Sequence, residues 1–322
     1  WPGVYATARF SGGAVIAAFD DRTSRYRIAV DEGAGPVVAV ARPGSEALLL
    51  SGLGPGPHVV RIDKVSGSPS APGRFVGFFV PADGGALPPP APRGRRIEFI
   101  GDSDSVGYGN AAPGRECSDD DVFWFTDTQA SFGPRAARRL GADYHLLAAS
   151  GVGLVRNYDG VSPERTMLAL EPRALLDDPT PIEGEAWRPQ VVVVALGSND
   201  FSSPPGPGER WADAAALRAD FEAAYVRLVR RLVVEDPGVY VLMAAWDEYG
   251  PEYMAAHRAV LAALRTSGEP GRMAARDAEV DLLVLPEMDK SGCHWHPSLD
   301  DHEAAADALV DYFEARPDVW NG

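Results

Sequence analysis

Five short runs, Ile97–Ile100, Tyr144–Ala149, Val191–Leu196, Val239–Ala244 and Val280–Leu285, alternate with longer stretches of helical periodicity. No other feature restricts the fold so much. A strand that is almost wholly apolar has no face to offer water, so it belongs in a parallel sheet covered on both sides. The intervening stretches supply the cover. Leu217, Phe221, Tyr225, Leu228 and Leu232 recur every three or four residues and mark one helical face. Phe132, Ala136 and Leu140 repeat the pattern, and Gly141 suits the position just past a helix end. Pro251–Ser267 opens with proline, which the first turn of a helix accepts. A last helix, over roughly Asp301–Arg316, puts Ala305, Leu309 and Phe313 on one side. This alternation predicts an α/β fold, a doubly wound parallel sheet whose ligands sit beyond the carboxyl ends of its strands.

Upstream the pattern is different. Tyr5–Phe10, Ala14–Phe19, Tyr26–Val30, Val37–Ala41, His58–Asp63 and Phe75–Val80 are short and rich in Val, Ile, Phe and Tyr. Turn signals separate them, among them Ser11-Gly12-Gly13, Asp20-Asp21, Pro43-Gly44 and Ser66–Gly73. Short strands at that spacing predict a small antiparallel sandwich. The run Pro88-Pro89-Pro90 then reads as a stiff, extended connector. The expected division is a β-sandwich over residues 1–87, a Pro-rich linker over 88–96 and an α/β domain over 97–322.

The formal net charge of −16 argues against nucleic acid as a partner, since displacing counterions from phosphates needs a basic surface. It also disfavours an anionic membrane surface. A neutral partner such as a carbohydrate is compatible, and the oligomeric state is open. No apolar run is long enough to span a bilayer. Trp1-Pro2-Gly3-Val4-Tyr5 does not read as a signal peptide, so either none exists or the sequence begins after it. Cys117 and Cys293 would be free thiols in a cytosolic protein and one bridge in an exported one.

Three segments at strand ends carry chemistry. Gly101-Asp102-Ser103 follows the first run, where a sharp strand-to-helix turn exposes a hydroxyl. The plain alternative is a turn in which Asp102 caps the next helix. Leu196-Gly197-Ser198-Asn199-Asp200 follows the third, where an asparagine amide can donate to a developing oxyanion or simply form an Asx-turn. Cys293-His294-Trp295-His296-Pro297-Ser298 precedes the last helix, and a histidine there can take a serine proton and return it to a leaving group. Two histidines two apart also raise a metal, but zinc needs three or four ligands and the pattern supplies no others.

The order of these segments resembles the SGNH hydrolases, with Ala149-Ser150-Gly151-Val152-Gly153 as the glycine block between the first two. The likeness extends to carbohydrate esterase family two. Val106-Gly107-Tyr108-Gly109-Asn110, the string Ser150–Tyr158, Leu196–Phe201 and Gly292–Pro297 are similar to that family, as are Trp1-Pro2-Gly3-Val4 and Gly52-Leu53 followed by Gly56-Pro57-His58. The resemblance implies a jelly roll joined to a flavodoxin-like SGNH domain. It also implies an exported bacterial enzyme, secreted or periplasmic, that removes acetyl groups from polysaccharides or oligosaccharides without a metal or cofactor. Within the superfamily the alternatives are a lipase or thioesterase on small acyl esters. Outside it stands a carbohydrate-binding protein with an inactive hydrolase domain.

The implied roles are Ser103 as nucleophile and His296 as base. The oxyanion would be held by the Ser103 N–H, the Gly151 N–H (with Gly153 second) and the Asn199 side chain. Tyr108, Tyr158, Asp200, His294 and Trp295 are the candidate substrate contacts, core packing being the other reading for Tyr158. Most SGNH enzymes carry aspartate three residues before the histidine, and that position is Cys293. A Ser–His dyad is expected, with a backbone carbonyl on the imidazole, unless Asp289 or Asp300 reaches the ring. Given export, a bridge from Cys117 to Cys293 would tie two active-site loops together. His302 reads as structural. The chain departs from the family at His294, where aspartate is frequent, at Asp104, where an aliphatic residue is usual, and at Lys64-Val65-Ser66, which stands near a missing Arg-Thr-Glu stretch.

Overall fold

The computed structural model describes residues 1–67, 73–181, 187–266 and 280–321. Eight strands build the N-terminal part: β1 (Tyr5–Ser11), β2 (Ala14–Asp20), β3 (Arg25–Val30), β4 (Val37–Ala41), β5 (Ala47–Ser51), β6 (Pro57–Lys64), β7 (Arg74–Phe79) and β8 (Gly85–Leu87). They form two antiparallel sheets, in the orders β4-β3-β6-β1-β8 and β5-β2-β7. Period-two alternation drives the packing: in β3, Tyr26, Ile28 and Val30 are buried while the residues between them are not. Phe10, Val15, Phe19, Ile28, Val60 and Ile62 fill the space between the sheets. Two strands were not anticipated. β5 is the continuous run Ala47-Leu48-Leu49-Leu50-Ser51, which lacks both β-branched residues and alternation, and β8 spans only three residues. Most of the turn expected at Ser66–Gly73 lies outside the described residues.

The second part is a five-stranded parallel sheet of β9 (Arg95–Gly101), β10 (Ala142–Ala148), β13 (Val191–Ala195), β14 (Tyr240–Ala245) and β15 (Val280–Val284). Its order is β10-β9-β13-β14-β15, so the chain starts in the interior and reverses direction between β10 and β13. That reversal opens the crevice where ligands bind. β9 begins at Arg95, so the end of the expected connector joins the sheet.

Helices α3 (Phe132–Arg139) and α7 (Leu299–Glu314) cover one face, packing Phe132, Leu309 and Phe313 with Phe99 and Val193. Helices α5 (Ala214–Glu235) and α6 (Pro251–Thr266) cover the other, packing Phe221, Tyr225 and Leu228 with Ile100, Val192 and Val194. Ser267, expected to end α6, lies outside the described residues. α7 starts two residues earlier than expected because Ser298 and Asp301 form a capping box at its N-terminus. The short helices α1 (Ser103–Val106), α2 (Asp119–Phe125) and α4 (Met167–Leu170) and a small hairpin, β11 (Arg173–Leu175) with β12 (Asp178–Pro181), decorate the carboxyl end of the sheet.

Candidate active site

β9 delivers Ser103 into a cavity of about 870 Å³ that Asn199, Gly151 and His296 also line. The turn needs glycine at 101, because a Cβ there would lie 1.9 Å from Ser105 Oγ. Asp102 caps α1, its carboxylate accepting from Asp104 N at 3.1 Å. The capping role and the active-site placement therefore coexist. Ser103 is buried to 7% exposure, and among the described residues its hydroxyl donates to no protein acceptor. The expected Ser103–His296 hydrogen bond is not formed here, and hydrogen bonds of this kind are often longer in a free enzyme than in its substrate complex.

His296 stands just before α7. Its Nδ1 donates to the Cys293 carbonyl at 2.9 Å, the tautomer a carbonyl acceptor demands, which leaves Nε2 with its lone pair. The carboxylates considered from sequence do not make this contact: Asp289 Oδ1 accepts from Ser291 N, and Asp300 is exposed. A disulfide joins Cys117 to Cys293. On the other side Tyr108 packs its ring on the imidazole, with centroids 4.3 Å apart. Behind lies His302, buried beside Phe132, its pKa driven down to about 3 by burial.

Two glycines were candidate oxyanion donors, and their surroundings differ. Gly153 N already donates to Asn157 Oδ1 at 3.0 Å, and a Cβ there would meet Arg156 O at 2.0 Å. Gly151 has φ of +77°, open space around its missing Cβ, and a place on the cavity wall. The Asn199 amide is engaged twice, Nδ2 donating to Asp102 Oδ2 and to the Val152 carbonyl, both at 3.1 Å. Ser198 Oγ donates to the same Asp102 oxygen at 2.6 Å. Burial first, and then Asp104 beside it, push the Asp102 pKa well up.

Asp200 must be withdrawn as a substrate contact. It is fully buried, and its carboxylate accepts from the backbone N–H groups of Leu154, Val155 and Arg156 at 2.8–2.9 Å. Burial raises its pKa to about 6 even against those three donors. Its work is to fix the loop after the glycine block. Of the other substrate candidates, Tyr158 is exposed and lines the cavity, so it is not core. Tyr108 lines it too, but one ring face is spent on His296. Its Oη donates to His294 Nδ1 at 3.1 Å, and His294 Nε2 donates in turn to the Cys117 carbonyl at 2.9 Å. Trp295 is 58% exposed and stands outside the cavity wall, with the Arg115 guanidinium 5.8 Å from its ring centre.

Sequence reasoning missed part of the wall. Thr23, Ser66 and Gly67 reach in from the sandwich, Asp119 and Phe123 from α2, and Val161, Arg165, Leu176 and Asp177 from the segment between β10 and β13. None carries a motif or a periodic signal. Among the described residues no group of three or more His, Cys, Asp and Glu is placed to hold a metal ion. Nor, among those same residues, is any helix long and apolar enough to cross a membrane.

Fold and site together define a hydrolase of the SGNH class with a β-sandwich at its N-terminus. Residues 1–90 match the family model described as carbohydrate esterase 2 N-terminal, and residues 97–309 match GDSL-like lipase/acylhydrolase. An acetylxylan esterase / glucomannan deacetylase of Cellvibrio japonicus is 38% identical over 99% of this chain and 86% of its own length. A solved carbohydrate esterase, studied for divergent catalytic and non-catalytic binding functions of its active site, superposes with a TM-score of 0.91 at 36% identity, covering 99% of this chain and 92% of its own. An active-site mutant of a family two carbohydrate esterase from Clostridium thermocellum superposes at 0.81 and 26% identity, covering 99% and 93%. This chain belongs to carbohydrate esterase family two.

Proposed function

We propose that the enzyme removes O-acetyl groups from plant-type polysaccharides or their oligosaccharides by way of an acetyl-serine. The observation that carries this reading is the shared cavity of Ser103, Gly151, Asn199 and His296, placed at the carboxyl end of the sheet in a carbohydrate esterase. Ser103 Oγ attacks the ester carbonyl while His296 Nε2 takes its proton. The Ser103 and Gly151 N–H groups and the Asn199 amide hold the oxyanion. For Asn199 this means exchanging the 3.1 Å contact with Asp102 for the substrate oxygen, while Ser198 continues to satisfy Asp102. His296 then protonates the departing sugar oxygen, leaving acetyl-Ser103. Water attacks that ester with His296 again as base, and acetate leaves as Ser103 regains its proton. The Cys293 carbonyl stands where most triads have a carboxylate, so it is a dipole rather than a full charge that steadies the imidazolium.

The Cys117–Cys293 disulfide supports an oxidising compartment and hence export. The substrate assignment draws on the acetylxylan esterase / glucomannan deacetylase from Cellvibrio japonicus. Acetate release from acetylated xylan and glucomannan, set against aryl acetate and octanoyl esters, is the test. A preference for octanoyl would defeat the deacetylase reading. Ser103→Ala should keep its melting temperature and lose roughly 10⁴-fold or more in kcat; residual activity above a tenth would remove Ser103 from its role.

A further inference from the structure

The segment between the glycine block and β13 brings a charged pair to the cavity. Arg165 and Asp177 both line it and form an ion pair of 2.9 Å, each side chain about 40% exposed (40% and 42%). Asp177 lies in the turn between β11 and β12, and Arg173 braces that hairpin by donating to the carbonyls of Ala169 and Leu176. Arg165 follows a tight loop closed by Asn157, which accepts from Gly153 N and donates to the Ser162 carbonyl. The ion pair thereby links the hairpin of β11 and β12 to the segment that follows the glycine block.

We infer that Arg165 and Asp177 together form a subsite for the hydroxyl groups of a neutral sugar and so set specificity for glycan over simple esters. The inference rests on the proposed deacetylase reading. A guanidinium only donates and a carboxylate only accepts, so the pair matches a neighbouring acceptor and donor, as two adjacent hydroxyls provide. Charge selects against acidic sugars. Arg165 is the only Lys or Arg on the described wall, Asp177 neutralises it, and Asp119 adds a further negative charge. Tyr158, exposed on the same wall, offers a flat face for the ring.

The experiment compares kcat/KM on an acetylated xylo-oligosaccharide with kcat/KM on 4-nitrophenyl acetate, measured on the same sample so that any misfolded fraction cancels. Arg165→Gln and Asp177→Asn should each lower the ratio of the two constants by about tenfold or more, as lost hydroxyl recognition does. The double variant should fall little beyond the worse single one, because partners in one ion pair are not additive. An unchanged ratio in both single variants overturns the inference while leaving the deacetylase reading intact. A wild-type enzyme that hydrolyses the aryl ester but not the oligosaccharide overturns that reading, and the inference with it.

Discussion

Asn199 spends both amide hydrogens inside the protein, on Asp102 Oδ2 and the Val152 carbonyl. In the proposed mechanism the amide releases one of these partners for the oxyanion, a stronger acceptor than the ground-state carbonyl. Asn199→Ala should therefore reduce kcat by about 10²–10³, equivalent to roughly 2.7–4 kcal/mol, with little change in KM on an aryl acetate. A rise in KM at constant kcat would mean that the amide binds substrate instead. Its neighbour Asp200 marks the limit of reading single residues. Asn199 and Asp200 stand side by side after β13, and nothing in their identities separates a residue facing the cavity from one facing the loop. The distinction lies in three backbone N–H groups, of Leu154, Val155 and Arg156, that converge on Asp200 from a segment some forty residues earlier. Gly151 and Gly153 raise the same difficulty: which N–H is spent is decided by where the Asn157 side chain lands.

Among the elements, the otherwise apolar β9 contains Glu98, a side chain only 12% exposed that pairs in register with His145 and Val192. Burial first, then the charges of Glu171 and Asp236, lift its pKa to about 8. The sign follows directly. An acid with a folded pKa above its unfolded value of about 4.5 binds more protons in the native state between those limits, so stability falls as pH rises from 4.5 to 8. Glu98→Gln should stabilise the enzyme by up to about 4 kcal/mol at pH 8 and by nearly nothing at pH 4, measured by urea unfolding at both values. An equal gain at both would point to packing instead of charge. The loops obey another constraint. Cys293 supplies the carbonyl that orients His296, Cys117 supplies the one that holds His294, and the disulfide ties the two together. Reduction should cost about 2–4 kcal/mol of stability and lower kcat more than it raises KM; full activity with the bridge fully reduced by dithiothreitol would show that it does not position His296. The parallel strands were legible because burial on both faces leaves a continuous apolar signature. β8 and the hairpin of β11 and β12 were not, since strands of three or four residues carry too few side chains to set a period.

For the molecule as a whole, the proline run suggested two bodies on a stiff connector, yet the two parts are joined well away from it. Gln129, 3% exposed, donates from Nε2 to the Gly3 carbonyl and accepts at Oε1 from Tyr144 Oη. Thr128 N donates to the Val65 carbonyl, and Arg25 in the sandwich donates to the Thr126 carbonyl beside α2. The sandwich also contributes Thr23, Ser66 and Gly67 to the wall of the active-site cavity. The contacts that cross from the sandwich leave no trace in local sequence, because each joins an ordinary polar group to a backbone carbonyl sixty or more positions away. They bury polar groups that neither part can satisfy alone, and stranding one of these costs about 1–3 kcal/mol. The two parts should therefore unfold together. Differential scanning calorimetry of the whole chain should give one transition with calorimetric and van't Hoff enthalpies in agreement. Gln129→Ala should shift that single transition downward without splitting it. Two separable transitions in the wild type, with activity lost only at the second, would mean that the sandwich is an appended module and that its residues in the cavity wall do not hold substrate in place.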